Sequence, residues 1–362
     1  MRVAVLGAGA IGFGGAAFLS ERGHEPILWS PSGKRTVELA AGAPLTAMGA
    51  VAGISHPKIA ETCAEALADA EVAFVTLPGN GHRAVFDAMA PYLRADQIVI
   101  ISGHLSFGAL YLAKLLAQRG LEIPIVAWGT TVTTGRQRSL TEVNVSNLRQ
   151  KVDVATLPLS AGDRGVAMCT ELFGERFVPR SDLLAIAVSN LNPQNHMGIA
   201  LCNLTRMERG EAWSQNENLT DAVGRLLEAL DAERLAIAGK LGLQVRTIRE
   251  HYHLSFHVPM GPIGEMSRAL HVRGEATFGP TSLETRYVTE DVPFGLVPSA
   301  LLGRLAGAPA TLHESGIAIL SALYGRDFRA DNDLLPALGI ETMPLDALRT
   351  LCRDGWRGRG LR

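Results

Sequence analysis

The sequence predicts an α/β domain on a doubly wound, mostly parallel sheet, followed by an all-α domain. Three observations predict it. Short apolar runs alternate with helical stretches up to about residue 178. The first run leads straight into a glycine turn. Beyond Ser181, strand-like runs become rare and apolar residues recur at three and four. The expected domains are 1–180 and 181–362, with the switch near 175–185 and a small-molecule cleft between them.

Length and composition bound the reading. A chain of 362 residues is long for one domain, and two are expected. Its 47% hydrophobic and 19% charged residues are ordinary for a globular protein. A net charge of −2 argues against nucleic acid as a partner, while local arginines can still serve small anions. Cys63, Cys169, Cys202 and Cys352 lie far apart with no C-x-x-C pattern, which points to a reducing, cytoplasmic compartment and to no metal site. Arg2 and the apolar stretch after it resemble a secretory signal, but five glycines interrupt that stretch. It is also too short and glycine-rich to span a bilayer, and no membrane partner is expected. The reading allows a homodimer.

Val3 to Leu6 form the first strand, and Ala16 to Leu19 belong to the first helix. Between them Gly7, Gly9 and Gly12 stand in the spacing G-x-G-x-x-G, with Ala10 and Ile11 inside it. Strand, glycine turn and helix together are the context of dinucleotide binding in a Rossmann domain. Gly7 permits the sharp turn, Gly9 lets the backbone approach a pyrophosphate, and Gly12 lets helix and strand pack closely. The helix N-terminus then offers free N–H groups to the phosphates.

Pro26 to Ser30 is the second strand. An enzyme that uses NAD usually ends this strand with Asp or Glu, which grips the ribose hydroxyls. Here Ser30 stands there, with Lys34 and Arg35 following. A hydroxyl beside two cations would hold a 2′-phosphate that a carboxylate would repel, so NADP is preferred over NAD. Ala64 to Ala70 reads as helix, and Val72 to Pro78 as a buried strand ending in the turn Gly79-Asn80-Gly81. Ligands lie at that edge of an open parallel sheet, so Leu77, Pro78 and Asn80 are expected at the cofactor. Val85 to Leu93 and Leu110 to Arg119 read as helices, and Gln97 to Ile101 and Ile123 to Trp128 as strands. Val152 to Leu157 and Phe177-Val178 close the strand series.

In the second half, Leu183 to Gly198 and Leu219 to Gly239 read as helices. Val223, Leu226, Leu227, Leu230 and Leu235 form a plain core stripe on the latter. Gly316 to Leu323 is a further helix with Gly325 placed to stop it. Arg357 to Arg362 reads as a frayed basic tail. His251, His253 and His257 form a cluster without the carboxylate spacing of a metal site.

Two stretches of the helical half carry chemistry. Asn192-Pro193-Gln194-Asn195-His196 continues to Asn203, with His196 and Asn203 two turns apart on one helix face. Arg286-Tyr287-Val288-Thr289-Glu290-Asp291-Val292-Pro293 continues to Pro298. A histidine shuttles protons near neutral pH and needs a carboxylate to fix its tautomer, which Glu290 or Asp291 could supply.

These stretches resemble the opine dehydrogenases of the octopine and nopaline type. The resemblance rests on the glycine fingerprint, on Asn192-Pro193…His196…Asn203, and on Arg286-Tyr287…Glu290-Asp291-Val292-Pro293…Gly295-Leu296-Val297-Pro298. The separation of 95 residues between His196 and Asp291 is similar as well. It implies a helical domain like that of 6-phosphogluconate dehydrogenase, a catalytic dyad of His196 and Asp291, and reductive joining of an amino acid to a 2-keto acid through an imine. Arg138 matches a family arginine, but Gly129-Thr130 and Thr134-Gly135 stand where the family often carries Glu-Thr ahead of Pro-Tyr. Asn192 and Asn203 would contact substrate, and Arg138, Arg206 or Arg286 would pair with a carboxylate.

Two rival readings set the tests. One is an NADP-dependent reductase of a 2-keto acid or dehydrogenase of a 3-hydroxy acid, ketopantoate-like in substrate, which would use a lysine as proton donor. Only Lys151 and Lys240 follow residue 114, and neither sits in an Asn-rich helical stretch. The other is an NADP-binding sensor that does no chemistry.

Overall fold

The computed structural model describes residues 1–274 and 277–356; the basic run from Arg357 to Arg362 lies outside the described residues. The chain divides into two compact units. One is Met1–Ala187 together with the stretch from Asp346, the other Val188–Leu345. The sequence reading gave everything after about 181 to the helical half. Instead the Leu345–Asp354 helix belongs to the first unit. Its buried face of Leu348, Leu351 and Cys352 gives it a side to pack, and Trp356 Nε1 donates to the Leu110 carbonyl at 2.9 Å.

The described residues of the first unit form twelve strands: β1 (Arg2–Leu6), β2 (Glu25–Trp29), β3 (Leu45–Gly49), β4 (Gly53–Ser55), β5 (Lys58–Ile59), β6 (Val72–Val75), β7 (Ile98–Ile101), β8 (Ile125–Trp128), β9 (Thr133–Gln137), β10 (Glu142–Leu148), β11 (Val152–Leu157) and β12 (Phe177–Pro179). Eight form one sheet in the order β12-β11-β8-β7-β6-β1-β2-β5. Its pairs are parallel except β11 against β8. The central strands are buried end to end, as apolar runs such as Val72–Val75 and Ile98–Ile101 require in a sheet covered on both faces.

A second sheet, β4-β3-β10-β9, was not foreseen. Its two central strands, Leu45-Thr46-Ala47-Met48-Gly49 and Glu142-Val143-Asn144-Val145-Ser146-Asn147-Leu148, break their apolar residues with polar ones and carry no long apolar run. On β3 and β10 alternate residues, Leu45, Ala47, Val143 and Val145, are buried, and they join Phe13 and Ala17 of the first helix in the core. Gly135, one of the departures from the family pattern, has its reason here: a Cβ at that position would lie 2.0 Å from the Asn144 carbonyl oxygen.

Among its described residues the second unit is all helical apart from one isolated bridge. Its axis is the Asp221–Lys240 helix, against which Asn192–Cys202, Ile263–Val272, Val297–Ala306 and Thr311–Tyr324 pack. Val223, Leu227 and Leu230 are buried as expected, but the stripe then continues through Asp231 and Arg234, a buried ion pair at 2.6 Å. The expected single helix 183–198 is broken into Leu183–Ser189 and Asn192–Cys202. Pro193, lacking an N–H, is tolerated only in a first turn and so starts a new helix. Gly325, in the left-handed conformation, stops the Thr311–Tyr324 helix as read.

Candidate active site

The glycine turn sits on a rim made by strand register. Leu6 pairs with Trp29 and Val75, and Val75 with Ile101. The next residues, Gly7, Ser30, Thr76 and Ser102, therefore stand side by side at the carboxyl ends of four parallel strands. Gly7 has φ +125°, a conformation side chains rarely adopt. A Cβ at Gly12 would fall 1.9 Å from the Gly7 carbonyl oxygen, so only glycine lets the helix come this close to the turn. Thr76 Oγ1 closes the back of the turn by donating toward the Leu6 and Gly7 carbonyls at 3.1 and 3.2 Å.

The Ala10–Glu21 helix begins behind Gly9 with no side-chain cap and no acidic residue in its first turn. Gly9, Ala10 and Ile11 are half-buried, so the uncapped N–H groups of this turn face an accessible surface. This cradle fits the pyrophosphate of a dinucleotide. Ser30 is buried just past β2, while Lys34 and Arg35 are exposed in the turn that follows. Arg35 Nη1 donates to Gln137 Oε1 at 3.0 Å and lies 3.7 Å from where a Cβ of Gly9 would be. Leu77 packs against Gly7 and Gly81, whereas Pro78 and Asn80 are exposed beside it. Deeper in this rim, burial drives His82 down to about 4 and His104 to about 3, so both rings are neutral at physiological pH. The neighbouring His82 adds a smaller downward push on His104.

In the helical unit the two chemical stretches meet. His196 Nδ1 and Asp291 Oδ2 are 2.6 Å apart across 95 residues. The Asp291 side chain is 2% exposed and that of His196 16%, so the acid is sealed and the ring reaches solvent at one edge. Two local features bring them together. Asp291 precedes a π turn, Val292–Leu296, a distortion common at functional sites. Within it Gly295 presents bare backbone to the Asn192–Cys202 helix: a Cβ there would lie 2.3 Å from Pro193 Cγ. Asn332 Nδ2 donates to the Pro293 carbonyl at 2.7 Å and so ties down the turn.

Between the two acids the reading left open, the structure chooses Asp291. Glu290 turns instead to Arg286, 3.4 Å from its Nε. Tyr287, singled out in sequence without a role, stacks on the His196 ring at 3.7 Å between centroids and 7° between planes. Its hydroxyl donates to Gln215 Oε1 at 2.9 Å. Nothing in the sequence pattern joined Gln215 to the dyad, because the contact spans 72 residues. Asn192 opens the His196 helix and its backbone N–H is held by Asn190. Asn203 ends that helix, and its amide donates to the Ile199 carbonyl at 3.0 Å. Arg206 makes an exposed pair with Glu211 at 3.5 Å. Arg138 is exposed in the β9–β10 turn of the first unit. His253 Nδ1 is spent on the Val258 carbonyl at 2.7 Å, and His257 caps its helix in the left-handed conformation.

The comparisons match these two units separately. Residues 2–104 match the family model of the NAD-dependent glycerol-3-phosphate dehydrogenase N-terminus. Residues 179–324 match that of the NAD/NADP octopine/nopaline dehydrogenase α-helical domain. An opine dehydrogenase of Arthrobacter sp. (strain 1C) is 29% identical over 355 residues, covering 96% of this chain and 97% of its own. A solved octopine dehydrogenase with NADH and L-arginine has a TM-score of 0.79 at 18% identity, covering 96% of this chain and 97% of its own. A yersinopine dehydrogenase with bound NADP+ has a TM-score of 0.71 at 16% identity, covering 94% and 97%. At these identities the two structures establish the shared fold. Together, fold and site define a nicotinamide-dependent oxidoreductase with a Rossmann unit and a helical unit. Its helical unit matches the octopine/nopaline dehydrogenase domain, and over nearly its whole length the chain is similar to an opine dehydrogenase.

Proposed function

We propose that this protein reductively condenses an amino acid with a 2-keto acid through an imine, giving a secondary amine dicarboxylate. The observation that carries the reading is the 2.6 Å bond between His196 Nδ1 and the buried Asp291 carboxylate, inside the helical unit that matches the octopine/nopaline model. NADPH or NADH, when bound, would supply the hydride for the imine carbon. Gly7, Gly9, Ala10, Ile11 and Gly12 would hold its pyrophosphate, with Leu77, Pro78 and Asn80 along the same rim. Asp291 accepts from Nδ1, which leaves Nε2 of His196 to exchange a proton with the reacting oxygen or nitrogen. Such a proton transfer contributes roughly 10²–10⁴-fold. Tyr287 fixes the plane of the ring by stacking on it.

The substrates are charged, and cations serve them. Arg206 and Glu211 are each about two-fifths exposed, a pair too weak to keep Arg206 from a substrate carboxylate. Arg138, Asn192 and Asn203 are the other assigned contacts. The similar structures support the substrate class, since octopine dehydrogenase was solved with pyruvate and with L-arginine. Ser30 and Arg35 favour NADP over NAD, and one relative was solved with NADP+. The four cysteines are unpaired, which suits a reducing cytoplasm. Among the described residues no helix is long and apolar enough to cross a membrane.

The test is NADPH oxidation with amino acids and pyruvate or 2-oxoglutarate, supplied singly and together. Consumption that needs both partners is expected. Consumption with the keto acid alone would make the protein a simple reductase. None at all, despite NADPH binding, would make it a sensor.

A further inference from the structure

We propose that Gln137, on the second sheet, is a positioning residue that presents Arg35 to the ribose 2′-phosphate and so sets the discrimination between NADPH and NADH. The inference rests on the NADP preference proposed above. The geometry has three parts. Arg35 Nη1 donates to Gln137 Oε1 at 3.0 Å, joining the turn after β2 to the end of β9. The same nitrogen lies 3.7 Å from the Cβ site of Gly9, which is the uncapped N-terminus of the first helix. Gln137 itself is held in register, because β9 pairs with β10 and Gln137 opposes Val143.

The chemistry of the strut matters as much as its place. An arginine carries five N–H donors, and an amide oxygen satisfies one without neutralising the charge. A glutamate at 137 would satisfy the same donor and cancel the cation. The guanidinium is therefore fixed, charged and open to an anion, beside a helix terminus that favours negative charge as well. No carboxylate stands at the end of β2 to oppose it, since Ser30 occupies that position. A free arginine in an exposed turn would lose rotamer freedom on binding, and a strut removes part of that loss beforehand. The fork geometry of arginine then suits a phosphate monoester, whose oxygens accept two parallel bonds. The unforeseen second sheet thus acquires a function: it carries the residue that orients the cation.

Equilibrium binding of NADPH and of NADH, followed by nicotinamide fluorescence, tests this without turnover. The proteins are wild type, Arg35→Ala, Gln137→Met, Gln137→Glu and the double variant Arg35→Ala/Gln137→Met. Methionine keeps the length of glutamine and lacks the acceptor. Wild type should prefer NADPH, and Arg35→Ala should weaken NADPH by roughly 10- to 150-fold, the worth of one charge-assisted bond, with NADH unchanged. Gln137→Met should weaken NADPH by roughly 2- to 12-fold, the cost of immobilising one long side chain. Gln137→Glu should weaken it as much as Arg35→Ala, and the double variant no more than Arg35→Ala. If Arg35→Ala loses NADPH while Gln137→Met binds it like wild type, the positioning role is overturned and the cofactor preference stands. Equal weakening of NADPH and NADH by Gln137→Met also overturns it, since the residue would then support the turn alone. A wild-type protein that binds both cofactors equally removes the preference itself.

Discussion

Asp291→Asn changes the charge beside His196 and keeps the shape. The carboxylate is 2% exposed and 2.6 Å from Nδ1, so solvent screens the pair weakly. The carboxylate accepts from Nδ1 and so fixes the tautomer and plane of the ring. A hydrogen bond to a charged acceptor is worth about 1.5–3 kcal/mol, or roughly 10- to 150-fold in turnover. Its loss should lower kcat and kcat/KM together while the KM values hold. The assay is steady-state NADPH oxidation with each substrate varied while the other saturates, alongside NADPH binding and thermal unfolding. A variant that turns over like wild type refutes the dyad. So does one that loses fold and cofactor binding together, because Asp291 would then be a structural acid.

Other outcomes follow from the same structure. Ser30→Asp should place a carboxylate at the rim beside Gly7, weaken NADPH and shift the preference toward NADH; an unchanged ratio of binding constants would contradict the cofactor reading. Asp231→Ala should cost about 3–5 kcal/mol in urea unfolding, because Arg234, 2% exposed, keeps a buried charge without its partner. A loss below about 1 kcal/mol, as for a surface pair, would show that water reaches the site. Acid should destabilise the first unit through His82 and His104. Their folded values of about 4 and 3 lie below the ordinary 6.5, so the unfolded chain binds protons that the folded chain refuses. The penalty is absent above about pH 6.5, grows as pH falls, reaches about 2 kcal/mol per histidine near pH 5, and levels off below about pH 3. His104→Gln should shrink the gap between urea midpoints measured near pH 7 and pH 5; an undiminished gap would place the acid sensitivity elsewhere.

What was legible in the sequence is what local physics decides. Gly7 and Gly12 announce a turn because no other residue fits there, and Gly325 announces a helix stop because of its positive φ. The buried strands of the first sheet show as apolar runs. The second sheet does not, since only every other residue of β3 and β10 is buried. The Asp231–Arg234 pair was hidden in an apolar stripe for a related reason: its partners, the Ile248 N–H and the Val188 carbonyl, are far away in sequence. His196 and Asp291 were found through a pattern spanning 95 residues, and the fold brings them together. Gln215 and Asn332 are silent in sequence, and Tyr287 stands in the motif without a role, because their work depends on which helix they meet.

The most direct measurement identifies the product. An isotopically labelled amino acid, pyruvate and NADPH are incubated with wild type and with His196→Ala, and the mixture is read by mass spectrometry. The account predicts a labelled secondary amine dicarboxylate from wild type, and a yield lower by roughly 10²–10⁴-fold from the variant although it still binds NADPH. Lactate from wild type with no labelled adduct, or the same adduct yield from both proteins, would contradict it.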